Sequence, residues 1–218
     1  MSSQLLQLLI ESLGQTLLMV GAAGVCSFTL GLPLGVILVV TGRNHILQHP
    51  VVYRLLGSAV NATRSTPFVI LMVAVIPFTR LLVGTSIGTV AAIVPLTLAA
   101  IPFVARLVET AVREVDTGLI EAAQAMGATP RQIIAKVLVP EARPGIVGGL
   151  TITLVNLIGY SAVAGAIGGG GLGDLGIRYG YQRFLPDVML VVVMVLIVLV
   201  QGVQSVGDWL VLRVSRRR

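Results

Sequence analysis

Charge is scarce in this sequence. Asp, Glu, Lys and Arg make up 11% of its 218 residues, against roughly a quarter in soluble domains, which excludes an ordinary water-soluble globule. Cysteine is nearly absent, and a lone Cys26 in an apolar run excludes a disulfide framework or a spaced set of thiolate metal ligands; it reads as a small buried hydrophobe. Aromatics amount to 5% and the basic residues are spread between apolar stretches, so the net charge of +6 does not point to nucleic acid. The opening MSSQLLQLLIESLGQT lacks a basic leader and carries Glu11, so the first apolar run is expected to stay in the mature protein. The run GGGGLG at 168 to 173 lacks the Lys-Ser/Thr pair of a phosphate-binding loop. No catalytic residue, metal site or bound cofactor is therefore expected on this chain.

What is present is apolar sequence, 56% of the residues with a mean hydropathy of +0.97, and this belongs in a bilayer. A hydrocarbon core of about 30 Å needs about 20 apolar residues in a helix. Five segments pass, roughly 14 to 40, 57 to 78, 86 to 105, 145 to 167 and 187 to 209, which predicts an all-α polytopic membrane protein forming one domain over residues 1 to 218. Arg64 aside, fourteen Lys and Arg residues sort by side, with Arg80, Arg178 and Arg183 outside and the other eleven inside. The positive-inside rule then sets the N-terminus outside, the C-terminus in the cytoplasm and residues 106 to 144 on the cytoplasmic side. The closing Arg216, Arg217 and Arg218 read as an anchor on anionic membrane lipid.

The inner segment, DTGLIEAAQAMGATPRQIIAKVLVPEARPG, carries clear punctuation. Leu119, Ala122, Ala123 and Met126 recur at helical spacing, and Gly127 follows where a left-handed cap is needed. Thr129, Pro130 and Gln132 then stand at the N-cap, N1 and N3 positions of a second helix. Its apolar face is Ile133, Ile134, Val137 and Leu138, with Pro140 and Pro144 ending it or turning it into the membrane. The pattern describes a rigid, tightly turned helical pair over 117 to 140 with an Ala/Gly-rich surface. By itself it fits a docking knob for a partner and a membrane-surface hairpin equally.

Glu121, Ala122, Ala123 and Gly127, then Val137, Val139 and Pro140, resemble the EAA loop of ATP-binding-cassette (ABC) importer permeases, with Val137 and Val139 in place of Ile and Leu. RSTPF at 64 to 68, IPFTRLLVGTSIG at 76 to 88, AAIVPLTLAAIPFVARLVE at 91 to 109, GYSAVAGAIGGGGLG at 159 to 173 and RYGY at 178 to 181 are most similar to the methionine importer permeases. The resemblance implies a bacterial inner-membrane permease of the type I importer fold. It also implies a methionine path formed by two copies of the chain, a separate ABC ATPase that holds ATP and Mg, and a periplasmic or lipid-anchored substrate-binding protein at the outer face. Glu121, Ala122, Ala123, Met126, Gly127, Ala128, Thr129 and Pro130 would then be the contact with the ATPase.

Polar groups at membrane depth are costly and informative. Arg64 in the second segment reads as a snorkelling or helix-end tie, or as a residue of the inner mouth of the path. Thr151, Thr153, Asn156, Tyr160 and Ser161 in the fourth segment either join helices or line an aqueous path. If the resemblance holds, Asn156, Tyr160 and Ser161 are the substrate-side candidates. The Gly31 to Gly35 step and the run Gly21, Ala22 and Gly24 suit close helix packing. A gradient-driven carrier would favour an internal repeat, paired membrane carboxylates or a filter motif, and none is found. A non-transporting scaffold that uses the inner hairpin to recruit a partner is the other alternative.

Overall fold

A computed structural model describes residues 3 to 215, so the closing Arg216, Arg217 and Arg218 lie outside the described residues. Among the described residues eleven α-helices run α1 Ser3–Val40, α2 Pro50–Ser65, α3 Phe68–Ala74, α4 Ile76–Val83, α5 Thr89–Arg113, α6 Thr117–Ala125, α7 Pro130–Ile133, α8 Val139–Glu141, α9 Arg143–Ala164, α10 Gly171–Leu175 and α11 Pro186–Ser215, with wide π-type turns at Ile134–Leu138, Gly165–Gly169 and Gly176–Tyr181. No strand occurs among the described residues, as the all-α reading expects.

Among the described residues, four helical stretches are long and apolar enough to cross a membrane: Gln4–Val40, Thr89–Arg113, Arg143–Gly169 and Pro186–Ser215. The continuous second span expected over 57 to 78 is corrected, because that stretch is broken into α2, α3 and α4. Pro67 has no N–H to give and crowds the residue before it out of the helical region, and Thr66 is extended at φ −86° and ψ 125°. A second break falls at Val75, just ahead of Pro77. The other four expected segments overlap these stretches, with ends displaced by up to ten residues. The largest difference is at α1, whose first turns pack Leu8, Leu9 and Leu13 against Leu172, Leu175 and Val192.

Packing fixes the direction of each long helix. Val36, Val39 and Val40 of α1 cluster with Val104, Val108 and Val112 of α5, with Ile146 at the start of α9, and with Ala123, Ile133 and Leu138 of the hairpin. Met19, Val20 and Ala23, earlier in α1, meet Ala92 and Leu96 of α5 and Leu157, Ile158 and Ala164 late in α9. Helices α1 and α5 therefore run parallel and α9 runs against them, with the 117 to 140 hairpin at one end and the glycine loop at the other. Helix α11 starts beside α10 and brings Gly207 against Thr151 of α9. Since α1 ends at the hairpin end and α5 starts at the glycine-loop end, α2, α3 and α4 carry the chain back between them.

Lipid tails are as apolar as leucine, so close backbone approach rather than burial from water holds such helices together. A Cβ at Gly35 would lie 2.6 Å from the Ala105 carbonyl oxygen, and one at Gly31 would lie 2.7 Å from Val104 Cβ. The expected Gly31 to Gly35 step is thus the seam between α1 and α5. Gly24 packs on Leu154, whereas Gly21 faces open space and plays no part in the seam. Cys26, expected to be buried, is exposed on the outer side of α1. At the opposite end, Gln15 Oε1 and Thr16 Oγ1 accept from the N–H groups of Gly171 and Leu172 at 2.7 and 2.9 Å, tying the glycine loop to α1.

Candidate functional site

The hairpin is built by local chemistry. Asp116 caps α6 by accepting from the Gly118 N–H at 2.7 Å. Gly127 ends the helix at φ +77°, and the N–H groups of Ala128 and Gly127 return to the carbonyls of Ala123 and Gln124 at 3.0 and 2.9 Å. These paired bonds satisfy carbonyls that a helix end otherwise leaves open. Two residues later Thr129 starts α7 in a full capping box, with the Gln132 side chain accepting from the Thr129 N–H at 2.8 Å. Pro130 occupies the first helical position, where its missing N–H costs nothing.

The apolar faces are partly as expected. In the second arm Ile133 and Leu138 are buried and Ile134 and Val137 pack against them. In the first arm the residues at helical spacing divide: Ala123, with Ile120 beside it, faces the core, while Leu119 is 45% and Met126 81% exposed. Helical spacing identifies a face but not what covers it. Glu121, Ala122, Gly127, Thr129 and Pro130 are also exposed, with Ala128 half-buried, so the candidate docking residues other than Ala123 and Ala128 form one projecting surface. Pro140 does not end the second arm. The wide turn before it lets the Val139 N–H reach the Ile134 carbonyl, and the chain continues through Ala142 into α9.

On α9 the three path candidates separate. Ile152, Asn156, Gly159 and Tyr160 are exposed at helical spacing, and Tyr160 stacks on Phe68 at 4.5 Å between ring centroids with planes 9° apart. Phe68 stands at the first turn of α3, directly after the break at Pro67. Ser161 is buried and donates to the Ile158 carbonyl at 2.7 Å, so it braces the helix from behind and does not share the face with Asn156 and Tyr160. Thr151 and Thr153 likewise donate to carbonyls one turn back. Arg64 is exposed in the last turn of α2, where a cation complements the helix dipole.

Residues 31 to 218 match the family described as the binding-protein-dependent transport system inner membrane component. The chain belongs to that family. Among relatives of this permease, the protein of Vibrio cholerae serotype O1 named "Probable D-methionine transport system permease protein MetI" is 60% identical over 210 residues, covering 96% of this chain and 93% of that protein. The D-methionine transport system permease protein MetI of Escherichia coli K12 is 54% identical over 165 residues, 76% of each chain. In a solved structure of inward-facing conformations of the MetNI methionine ABC transporter, one chain superposes with a TM-score of 0.96 at 51% identity, covering 98% of this permease and 99% of that chain. A chain of an amino acid ABC transporter crystallised with histidines, at 20% identity and a TM-score of 0.77, shares the fold.

Two features of the permease had no counterpart in the sequence reading. The first is a polar clasp between α5 and α2. Glu109 is buried and takes ion pairs from Arg106 and, at 2.7 Å, Arg113. Arg106 Nη2 continues to the Asn61 side chain at 2.8 Å and the Gly57 carbonyl at 3.2 Å, and Arg113 Nη2 to the Tyr53 hydroxyl at 2.9 Å. The i, i+3 and i+4 spacing of the three charges was visible in RLVETAVR, but their partners on α2 lie 45 to 60 residues away. The second is a cleft of about 380 Å³ behind the hairpin, lined by His45, Arg113, Glu121 and Gln124 among others. Burial and the Arg113 charge hold the His45 pKa below the ordinary 6.5. No group of three or more His, Cys, Asp or Glu fit to hold a metal occurs among the described residues.

Proposed function

We propose that this chain is the permease subunit of a methionine ABC importer of the bacterial inner membrane. The observation that carries this reading is near-full-length similarity to D-methionine permeases in a chain whose hairpin is rigidly capped and apolar on the outside. An exposed Met126 beside Ala122 and Gly127 is a poor surface for water and a good one for a groove in another protein. The occupant is the ABC ATPase, which holds ATP and Mg; the permease itself contributes no nucleotide site.

Two copies form the path, and α2, α3 and α4 complete a fifth, segmented crossing with the N-terminus outside and the hairpin in the cytoplasm. Irregular backbone at membrane depth is tolerated where it lines a protein-enclosed cavity, which supports placing the Thr66-Pro67 break and the Phe68 and Tyr160 pair beside that path. An exposed Asn156 would be costly against lipid and is at home beside a zwitterion. The aromatic pair offers a thioether a favourable sulfur-ring contact. The substrate-binding protein docks at the glycine-loop end. ATP closing its two subunits draws the hairpins together and turns the path outward; hydrolysis and release return it to the inward-facing form, the state of the similar solved chain.

Reconstitution of permease, ATPase and binding protein in vesicles tests this. Labelled methionine is expected to accumulate with ATP and to be displaced by unlabelled L- or D-methionine. Accumulation driven by an ion gradient without ATP, or displacement by other amino acids and not by methionine, would overturn it.

A further inference from the structure

We propose that Glu109 is a positioning residue through which movement of the hairpin reaches α2, and through it the Phe68 and Tyr160 pair. This rests on the importer reading above. The hairpin grips the end of α5, with Ala123 and Ile133 packed into the cluster formed by Val108, Ala111, Val112 and Val115. Displacing the hairpin therefore displaces the last turns of α5, which carry Arg106, Glu109 and Arg113.

Helix α2 has a modest apolar hold on the bundle, with Val60 against Leu38 and Ala105, and Tyr53 and Leu56 at the edge. Its polar hold is the clasp. One buried carboxylate pairs with two guanidinium groups, and each guanidinium directs a further N–H to α2, at Tyr53 and at Gly57 and Asn61. Their shared counter-charge holds the two guanidinium groups toward the helix-helix contact. A buried network of this kind acts as a fixed link. At its far end α2 passes over the Thr66-Pro67 break into Phe68, which lies flat on Tyr160. The clasp thus joins the element that meets the ATPase to the element that lines the path.

Glu109→Gln keeps the volume but replaces one acceptor oxygen by an NH2 donor and removes the charge, so the arginines lose their shared counter-charge and α2 is released. The test uses the reconstituted complex with Cys26→Ser and a spin label at Ala125→Cys on the hairpin or Ser58→Cys on the exposed face of α2, reading the distance between the two copies with and without ATP. In the unaltered clasp both distances change. In Glu109→Gln the hairpin distance still changes, the α2 distance does not, and uptake per ATP hydrolysed falls by about tenfold or more, within the usual range of coupling between sites; Glu109→Asp restores part of both. Should Glu109→Gln fail to assemble, Tyr53→Phe with Asn61→Ala removes the two side-chain acceptors on α2 while leaving the ion pairs, and the same separation is expected. Unchanged α2 movement and unchanged uptake per ATP in either variant overturns the proposal. So does loss of the hairpin movement too, which marks a merely structural role. Absence of ATP-driven uptake in the unaltered complex would instead sink the importer reading.

Discussion

His45 shows how one side chain can report the state of the inner face. It lies in the 41 to 49 connection, lines the cleft behind the hairpin and accepts from the Ile46 N–H through Nδ1 at 3.1 Å. Burial, then the Arg113 charge, depress its pKa from 6.5. The unfolded chain therefore takes up a proton before the folded one does, so the stability tied to neutral His45 is complete above about pH 6.5 and is lost as pH falls through the folded value. Thermal unfolding of the purified permease should lose more between about pH 7.5 and about pH 5.5 than unfolding of His45→Gln; an equal or larger loss in the variant would count against this. Nothing in the sequence marked His45, because its environment is made by α5 and α6 from 65 or more residues away. Gly127, in contrast, was legible at once, since its role follows from the helix just before it.

At the scale of elements, legibility followed range. The cap at Gly127, the Thr129 and Gln132 box and the Pro67 break are written within four or five residues, and the first two were read correctly. The Pro67 break was missed because hydropathy continues across it, and hydropathy measures where a segment can sit rather than whether its backbone is continuous. The wide turn at Ile134–Leu138 was missed for a related reason: proline rules forbid a regular helix at Pro140, yet one looser turn satisfies the neighbouring groups. The hairpin also makes a sharp prediction. A side chain at Gly127 meets no atom within 4 Å, so Gly127→Leu costs only the left-handed backbone, about 1–2 kcal/mol, and leaves the fold intact. On the proposed docking, it fills the space assigned to the ATPase. Membrane insertion and thermal stability close to the parent protein, with ATP-driven uptake reduced to background, is the expected result. Uptake at the parent level would show that this surface meets nothing.

For the whole molecule, the account depends on a vector: the chain must deliver its hairpin to the same side of the membrane as the nucleotide. Charge asymmetry sets that vector in the sequence, and the parallel course of α1, α5 and α11 against α9 is the geometry it requires. The direct measurement replaces the exposed Met126 by Cys in a Cys26→Ser chain and exposes cells or oriented vesicles to a membrane-impermeant thiol reagent from each side. The account predicts labelling from the cytoplasmic side alone, with protection when the ATPase subunit is bound. Labelling of Met126→Cys from the outer side, or labelling that the bound ATPase leaves unchanged, would contradict it.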